Sequence, residues 1–417
     1  MTIAAAPSHQ MTGSALATRI EALAKFSSEP DALTRLTLTQ AHRNAADLVV
    51  SWMTQAGMSV HVDALATVVG RFEGGDPAGK TLLIGSHIDT VRNAGKYDGN
   101  FGVISAIAAV DRLKRDGVKL PFAIEVLAFG DEEGVRYPTT LTGSRAIAGT
   151  LDLAALEDKD VDGITRREAL VRFGTDPNYA PQQARDPARV LAYVEVHIEQ
   201  GPVLEAQGFP VGIVTAINGA TRGTITIIGK SGHSGTEPMS MRRDALTAAA
   251  EMILAIERIG RNKRGLVTTV GRIETPRGAV NIVPGAVDMT LDVRSPSDSD
   301  RHEAVERIES EIAAIAVRRG VTTKFVRSHD MPAAPCDPSL MDALEHSFQH
   351  LGFMPYRLAS GAGHDAMAFC GRIPIAMIFS RCKAGVSHNP AEYASPGDME
   401  AATAVLYDFI QTLSDER

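Results

Sequence analysis

The chain has 417 residues, 44% of them apolar and 22% charged, with a net charge of −8. These values exclude a disordered or fibrous chain, and the acidic balance lacks the basic excess that phosphate neutralisation needs, so nucleic acid is not an expected partner. The length exceeds what one hydrophobic core usually serves, so two domains are expected, and the three cysteines, Cys336, Cys370 and Cys382, form no close pair for a disulfide framework or a thiolate zinc site.

In chain order, the first residues carry no basic segment followed by a long apolar run, and no later stretch is apolar over a transmembrane length. A cytoplasmic protein that engages no membrane is expected. Leu16, Ile20, Leu23 and Ala24 form one helical stripe, and Ala46, Leu48, Val49, Trp52 and Met53 another. The apolar run Leu82, Leu83, Ile84 breaks into Gly85, Ser86, His87, the pattern of a buried strand that delivers a ligand at its carboxyl end. A helix over 103–113 and a buried strand over 122–129 complete a βαβ unit. A strand over 191–198 ends near His197, and one over 375–379 precedes the loop with His388. Four strand ends thus converge on one chemistry.

Between about 212 and 327 the pattern changes to strands over 223–229, 266–273, 286–294 and 322–326 and helices over 244–259 and 300–318, a split βαβ order. The expected architecture is α/β: a catalytic domain over 1–211 and 330–417, with a mostly parallel mixed sheet flanked by helices, and an inserted α+β ferredoxin-like domain over 212–329. The segment 152–186, rich in Asp, Arg and Pro, reads as an irregular surface excursion and supports no functional expectation.

His87 and Asp89, Asp98, Glu132 and Glu133, His197, and His388 together make two histidine-plus-carboxylate sets. Imidazole and carboxylate without thiolate suit zinc, manganese, cobalt or nickel, and a shared carboxylate can hold two ions roughly 3.5–4 Å apart in a hydrolytic site. His87 is read as a ligand and Asp89 as its support, accepting the other imidazole N–H. Asp98, in a loop between Gly95 and Gly99, is the candidate bridge. Adjacent Glu132 and Glu133 point apart on an extended backbone, which suits Glu132 as the acid/base and Glu133 as a ligand. His197 and His388 supply the remaining coordination positions. Read singly, each is equally a structural residue, and 131–133 a solvated acidic turn; the weight lies in the combination.

The segments GSHIDTV, the Asp98 loop, DEEGVRY, HIEQGPVLE, GHSGTEPMSMRRDAL, VNIVPGAVDMTLDVR, SGAGHDAM and GVSHNPAEY, in this order, cover almost the whole chain. In them the chain resembles the hydantoinase/carbamoylase branch of the M20 metallopeptidase family, which holds N-carbamoyl-L-amino acid hydrolases, allantoate amidohydrolases and β-ureidopropionases. The resemblance implies one ion on His87, Asp98 and His197, another on Asp98, Glu133 and His388, and a lid domain that makes a homodimer. Where the peptidase branch is expected to have a carboxylate the chain has His197, which favours ureido and amide substrates. One departure stands at 65 and 66, where Leu65 and Ala66 occupy places for Gly and Asn.

Arg294, at a strand end, can clamp a substrate carboxylate with two parallel hydrogen bonds, although an arginine there is as readily solvated or salt-bridged. The resemblance assigns it the clamp and adds Gln200, His233 and Asn281 as substrate contacts, with His233 placed to stabilise an oxyanion. Gly363 offers close backbone approach beside His364 and Asp365, which are read as pocket lining rather than a further metal pair. The expected reaction removes the carbamoyl group of an N-carbamoyl-L-amino acid; allantoate or N-carbamoyl-β-alanine is the alternative. A dipeptidase or aminoacylase and a non-catalytic metal scaffold are more distant.

Overall fold

The computed structural model describes residues 11–76 and 79–415. They form two compact units, one running to Thr215 and including Pro335–Leu358 and the chain from Ala362, the other comprising Ala216–Ala334 with Ala359–Gly361. The breaks thus fall at 215/216 and 334/335 instead of 211/212 and 329/330. The strand Thr322–Met331 keeps its pairing with Gly219–Ile228 as far as Met331, past the expected end at 326 and past a bulge between Arg327 and His329. That ladder carries the second unit beyond the expected boundary.

In the first unit a nine-stranded sheet has four parallel strands at its centre, in the order Ala123–Phe129, Thr81–His87, Val190–Ile198, Ile375–Ser380. All four are buried along all or nearly all of their length, as strands covered on both faces must be. From Thr81–His87 the chain moves through the helix Asn100–Asp116 to the neighbour on one side, while Val190–Ile198 lies on the other. The order therefore reverses beside His87, the place where open α/β sheets bind ligands. Register aligns His87 with Phe129, and His197 with Phe379, so the carboxyl ends of all four strands lie together. Helices Gly13–Ala24, Gln40–Gln55, Asn100–Asp116 and Pro396–Asp415 contribute to the core with Leu16, Val49, Trp52, Phe101, Ile104, Leu406 and Phe409.

The segment 152–186 is more ordered than its composition suggests. It holds the helix Arg166–Phe173, started by a capping box in which Thr165 and Glu168 satisfy each other's backbone N–H, between the 3-10 turns Leu153–Glu157 and Pro177–Gln183.

The second unit is an antiparallel sheet in the order Ile273–Glu274, Ala286–Ser295, Gly219–Ile228, Thr322–Met331, with helices Ala245–Arg261 and Asp298–Arg319. This is the split βαβ order. The single strand expected over 266–273 is two short ones, Val267–Thr269 and Ile273–Glu274, parted around Gly271. Strict alternation along Ala286–Ser295 buries Val287, Met289, Leu291 and Val293 with the helices and turns Asp288, Thr290, Asp292 and Arg294 the other way. Among the described residues no helix is long and apolar enough to cross a membrane.

Candidate metal centre

Each strand end delivers its side chain for a local reason. His87 is the last residue of its strand, and its Nδ1–H donates to the Asp89 carbonyl at 3.1 Å. The His197 Nδ1–H donates to the Ile198 carbonyl at 2.9 Å. Both bonds orient the rings and turn Nε2 inward, where that of His197 also accepts the Gly99 N–H at 3.2 Å. Gly99 turns the chain at φ 64°, and a Cβ there would lie 2.4 Å from the His87 ring, so only glycine lets Asp98 come this close.

The two Asp98 oxygens serve two sides. Oδ1 lies 3.2 Å from His197 Nε2 and 3.5 Å from His87 Nε2. Oδ2 lies 3.2 Å from His388 Nε2, and that same nitrogen is 3.5 Å from Glu133 Oε2. Both Nε2 atoms face an Asp98 oxygen across a gap that a proton or a metal ion can bridge: against burial, the surrounding carboxylates raise both imidazoles above their usual range. Two ligands about 2.0–2.1 Å from one tetrahedral ion stand roughly 3.4 Å apart, the spacing seen in both sets. His87, Asp98 and His197 form one group able to hold an ion, and Asp98, Glu133 and His388 another. The donor chemistry and spacing therefore fit divalent metal.

Electrostatics point the same way. Burial works against charge on Asp98, yet His197, His388 and His87 outweigh it and hold the carboxyl well below its usual range. Asp98 in turn raises His388 to about 9, against burial. Burial, then the nearby Asp98 charge, lifts Glu133 to about 7. Without an ion, protons take the place that a metal would fill, so metal binding must displace them.

Glu132 lies outside the two sets built on Asp98, yet its Oε2 is 3.9 Å from His87 Nε2, and with His87 and Glu133 it makes a further group within ligating reach. Burial pushes its carboxyl well above the usual range; His87 opposes this and Glu133 adds to it. A Cβ on Gly363 would lie 3.9 Å from Glu132 Oε1, which places that glycine beside the acid. The His87 N–H meets the Asp89 backbone carbonyl instead of the expected carboxylate, whose Oδ1 is 3.6 Å away because it is turned to the next loop. The two carboxylate oxygens accept the backbone N–H of Glu132 at 3.1 Å and of Glu133 at 3.2 Å, so one carboxylate sets both glutamates.

Several supporting residues carried no sequence expectation. Glu392 accepts the N–H groups of Tyr97 and Asp98 on one oxygen and the Ser387 hydroxyl on the other, tying the Asp98 loop to the His388 loop. Its signal was its place in GVSHNPAEY. Arg166, fully buried in the supposed excursion, pairs with Asp131, donates to the Thr139 carbonyl at 2.7 Å and so anchors the segment carrying Glu132. Glu195 accepts from Ser86, Tyr193 and the Ala366 N–H; a carboxylate two places before His197 in a buried strand was its signal. Glu195, His197 and His364 also come within ligating reach of one another, but Glu195 is engaged by those donors and His197 Nε2 faces Asp98. At the departure noted above, Ala66 adopts φ 66°, a conformation that asparagine tolerates better than alanine. Buried Asp63 holds that turn by accepting the Leu65 and Thr67 N–H groups.

Gln200 uses its amide nitrogen on Asp98 Oδ2 at 2.7 Å and Ser387 at 3.1 Å. In the second unit, His233 and the residue after Asn281 pair in a two-stranded ribbon, both His233 and Asn281 exposed. Arg294, on the larger sheet, is salt-bridged through Nε and Nη2 to Asp292, each at 3.0 Å, and Nη1 donates to the Gly361 carbonyl at 2.6 Å.

The sequence profile of peptidase family M20/M25/M40 matches residues 83–412. An N-carbamoyl-L-amino acid amidohydrolase of Geobacillus stearothermophilus is 41% identical, over 96% of this chain and 98% of its own. An allantoate deiminase of Arabidopsis thaliana is 40% identical, over 94% of this chain and 81% of its own. A solved amidase of the hydantoinase/carbamoylase family from Burkholderia multivorans superposes with a TM-score of 0.91 at 32% identity, covering 96% of this chain and 98% of that one. With the family profile matched over 83–412 and these relatives over nearly the whole chain, the chain belongs to the M20/M25/M40 peptidase family.

Proposed function

We propose that the protein is a binuclear metal-dependent amidohydrolase that removes the carbamoyl group of N-carbamoyl-L-amino acids. The observation that carries this reading is Asp98, whose oxygens face separate imidazole sets at 3.2–3.5 Å. His87, Asp98 and His197 hold one ion and Asp98, Glu133 and His388 the other, the set suiting zinc, manganese, cobalt or nickel. Divalent ions there would polarise the substrate carbonyl and make water acidic enough to lose a proton near neutral pH.

Glu132 takes that proton as water adds to the carbamoyl carbon, and gives it to the amino-acid nitrogen as the C–N bond breaks. The carbamic acid left behind decomposes to ammonia and carbon dioxide. One carboxyl placed beside the reacting water can act first as base and then as acid. Asp89 keeps Glu132 and His87 in place. His233 donates to the oxygen that becomes negative, Arg294 takes the substrate carboxylate, and Gln200, Asn281 and Gly363 complete the contacts.

Allantoate is the second reading, favoured by the 40% identical relative named an allantoate deiminase. Its carboxylate and ureido groups would use the same residues. The unit Ala216–Ala334 is proposed as lid and homodimer surface, with His233 or Asn281 serving the partner's site. An isolated monomer with full activity would exclude that sharing.

Chelation tests the metal requirement. Dialysis against a strong chelator is expected to abolish ammonia release from N-carbamoyl-L-methionine, and two equivalents of a divalent ion to restore it. Metal-free protein that kept its turnover would remove the basis of the mechanism.

A further inference from the structure

Arg294 does not stand alone in its unit. Asp292 and Arg294 occupy alternate positions of Ala286–Ser295 and so face the same way. They line a cavity of about 610 Å³ with Arg222, Thr269, Thr290 and Ser328. Arg222 lies directly across the ladder from Asp292 and donates from Nε to its Oδ2 at 3.0 Å. Small Ala220 is opposite Arg294. Burial opposes charge on Asp292, but Arg294 and Arg222 outweigh it and hold the carboxyl below its usual range.

The donor count gives this cluster a purpose. A guanidinium has five N–H groups. Asp292 takes the one on Nε and one on Nη2, and the Gly361 carbonyl takes one on Nη1. One N–H remains on each terminal nitrogen, the number a carboxylate accepts in a bidentate pair. Asp292 alone would neutralise Arg294; with Arg222 sharing the same carboxylate, the trio keeps a net positive charge.

We infer that Asp292 is a positioning residue for substrate recognition, holding the Arg294 side chain so that its two remaining N–H groups meet the substrate carboxylate. This rests on the reading, proposed above, that Arg294 takes that carboxylate. An arginine left to sample its rotamers must be ordered by each substrate molecule, whereas one held beforehand need not be.

The test compares wild type, Asp292→Asn and Asp292→Glu on N-carbamoyl-L-methionine and on its α-carboxamide. Asp292→Asn is expected to raise KM for the carboxylate roughly five- to tenfold with kcat changed less than about twofold, the scale of one unrestrained side chain. The carboxamide should be nearly unaffected, Asp292→Glu should recover part of the loss, and Asp292→Asn should add nothing in an Arg294→Ala background. A second readout needs no turnover. The Arg294 Nε–H resonance, identified by its loss in Arg294→Lys, should exchange slowly with solvent in wild type and at least roughly tenfold faster in Asp292→Asn, because the acceptor is weakened. An equal shift for both substrates, an unchanged KM, or an Nε–H indifferent to Asp292 would overturn the inference. If wild type hydrolyses no ureido carboxylate, the proposed function fails while the exchange measurement still decides whether Asp292 holds Arg294. Should Asp292→Asn not fold, Asp292→Glu, which keeps the charge one methylene away, carries both measurements.

Discussion

Glu132→Gln is expected to lower kcat by about 10²–10⁴-fold, the range for loss of one general acid/base, while leaving both metal sites filled. The substitution keeps the shape of the side chain and removes only its capacity to exchange a proton. Glu132 belongs to neither of the two groups built on Asp98, and its backbone is fixed by Asp89 rather than by its own carboxyl. Metal content by elemental analysis should therefore equal that of wild type. Near-normal turnover with full metal content would assign the proton transfer elsewhere, and loss of one ion would make Glu132 a ligand.

Asp98→Asn should have the larger effect on metal. Both oxygens of this residue are committed, Oδ1 to His87 and His197 and Oδ2 to His388, while the Gln200 amide N–H also donates to Oδ2. An amide can present one oxygen only, and its NH₂ group would meet either the imidazole pair or the existing donors. Outer partners of metal ligands already cost about 10–100-fold in affinity when removed, so loss of the shared ligand should weaken binding by more than about 100-fold. The expected protein retains fewer than two ions per chain after desalting and is inactive at ordinary metal concentrations. An Asp98→Asn variant with two tightly held ions would show that the sites do not share this carboxylate.

The parts of the site legible in sequence were those that announce themselves locally. An apolar run broken by Gly85, Ser86, His87 marks a strand delivering a side chain, and Asp98 lies among glycines that free its backbone. The structure brings His87, Asp98, Glu133, His197 and His388 into two sets within ligating distance. Sequence was silent where function depends on a distant partner. Arg166 lies 35 positions from Asp131 and looked like one more charge in a polar stretch. Glu392 reaches back 294 positions to the Asp98 N–H. The double use of Asp89 was hidden for the same reason, because its pairing with the backbone of Glu132 and Glu133 arises only when neighbouring strand ends are aligned. Arg294 shows a different limit: in sequence a salt bridge and a substrate clamp are alternatives, yet the count of its donors leaves room for both.

Ammonia release by the metal-loaded protein, measured side by side on N-carbamoyl-L-methionine, its D form, allantoate, N-carbamoyl-β-alanine and a dipeptide, tests the central claim most directly, the dipeptide being followed by amino-acid release. The account predicts dominant turnover of the N-carbamoyl-L-amino acid. Dominance of allantoate would keep the metal and Glu132 assignments and change the substrate, whereas hydrolysis of the dipeptide with no turnover of any ureido compound would contradict the account.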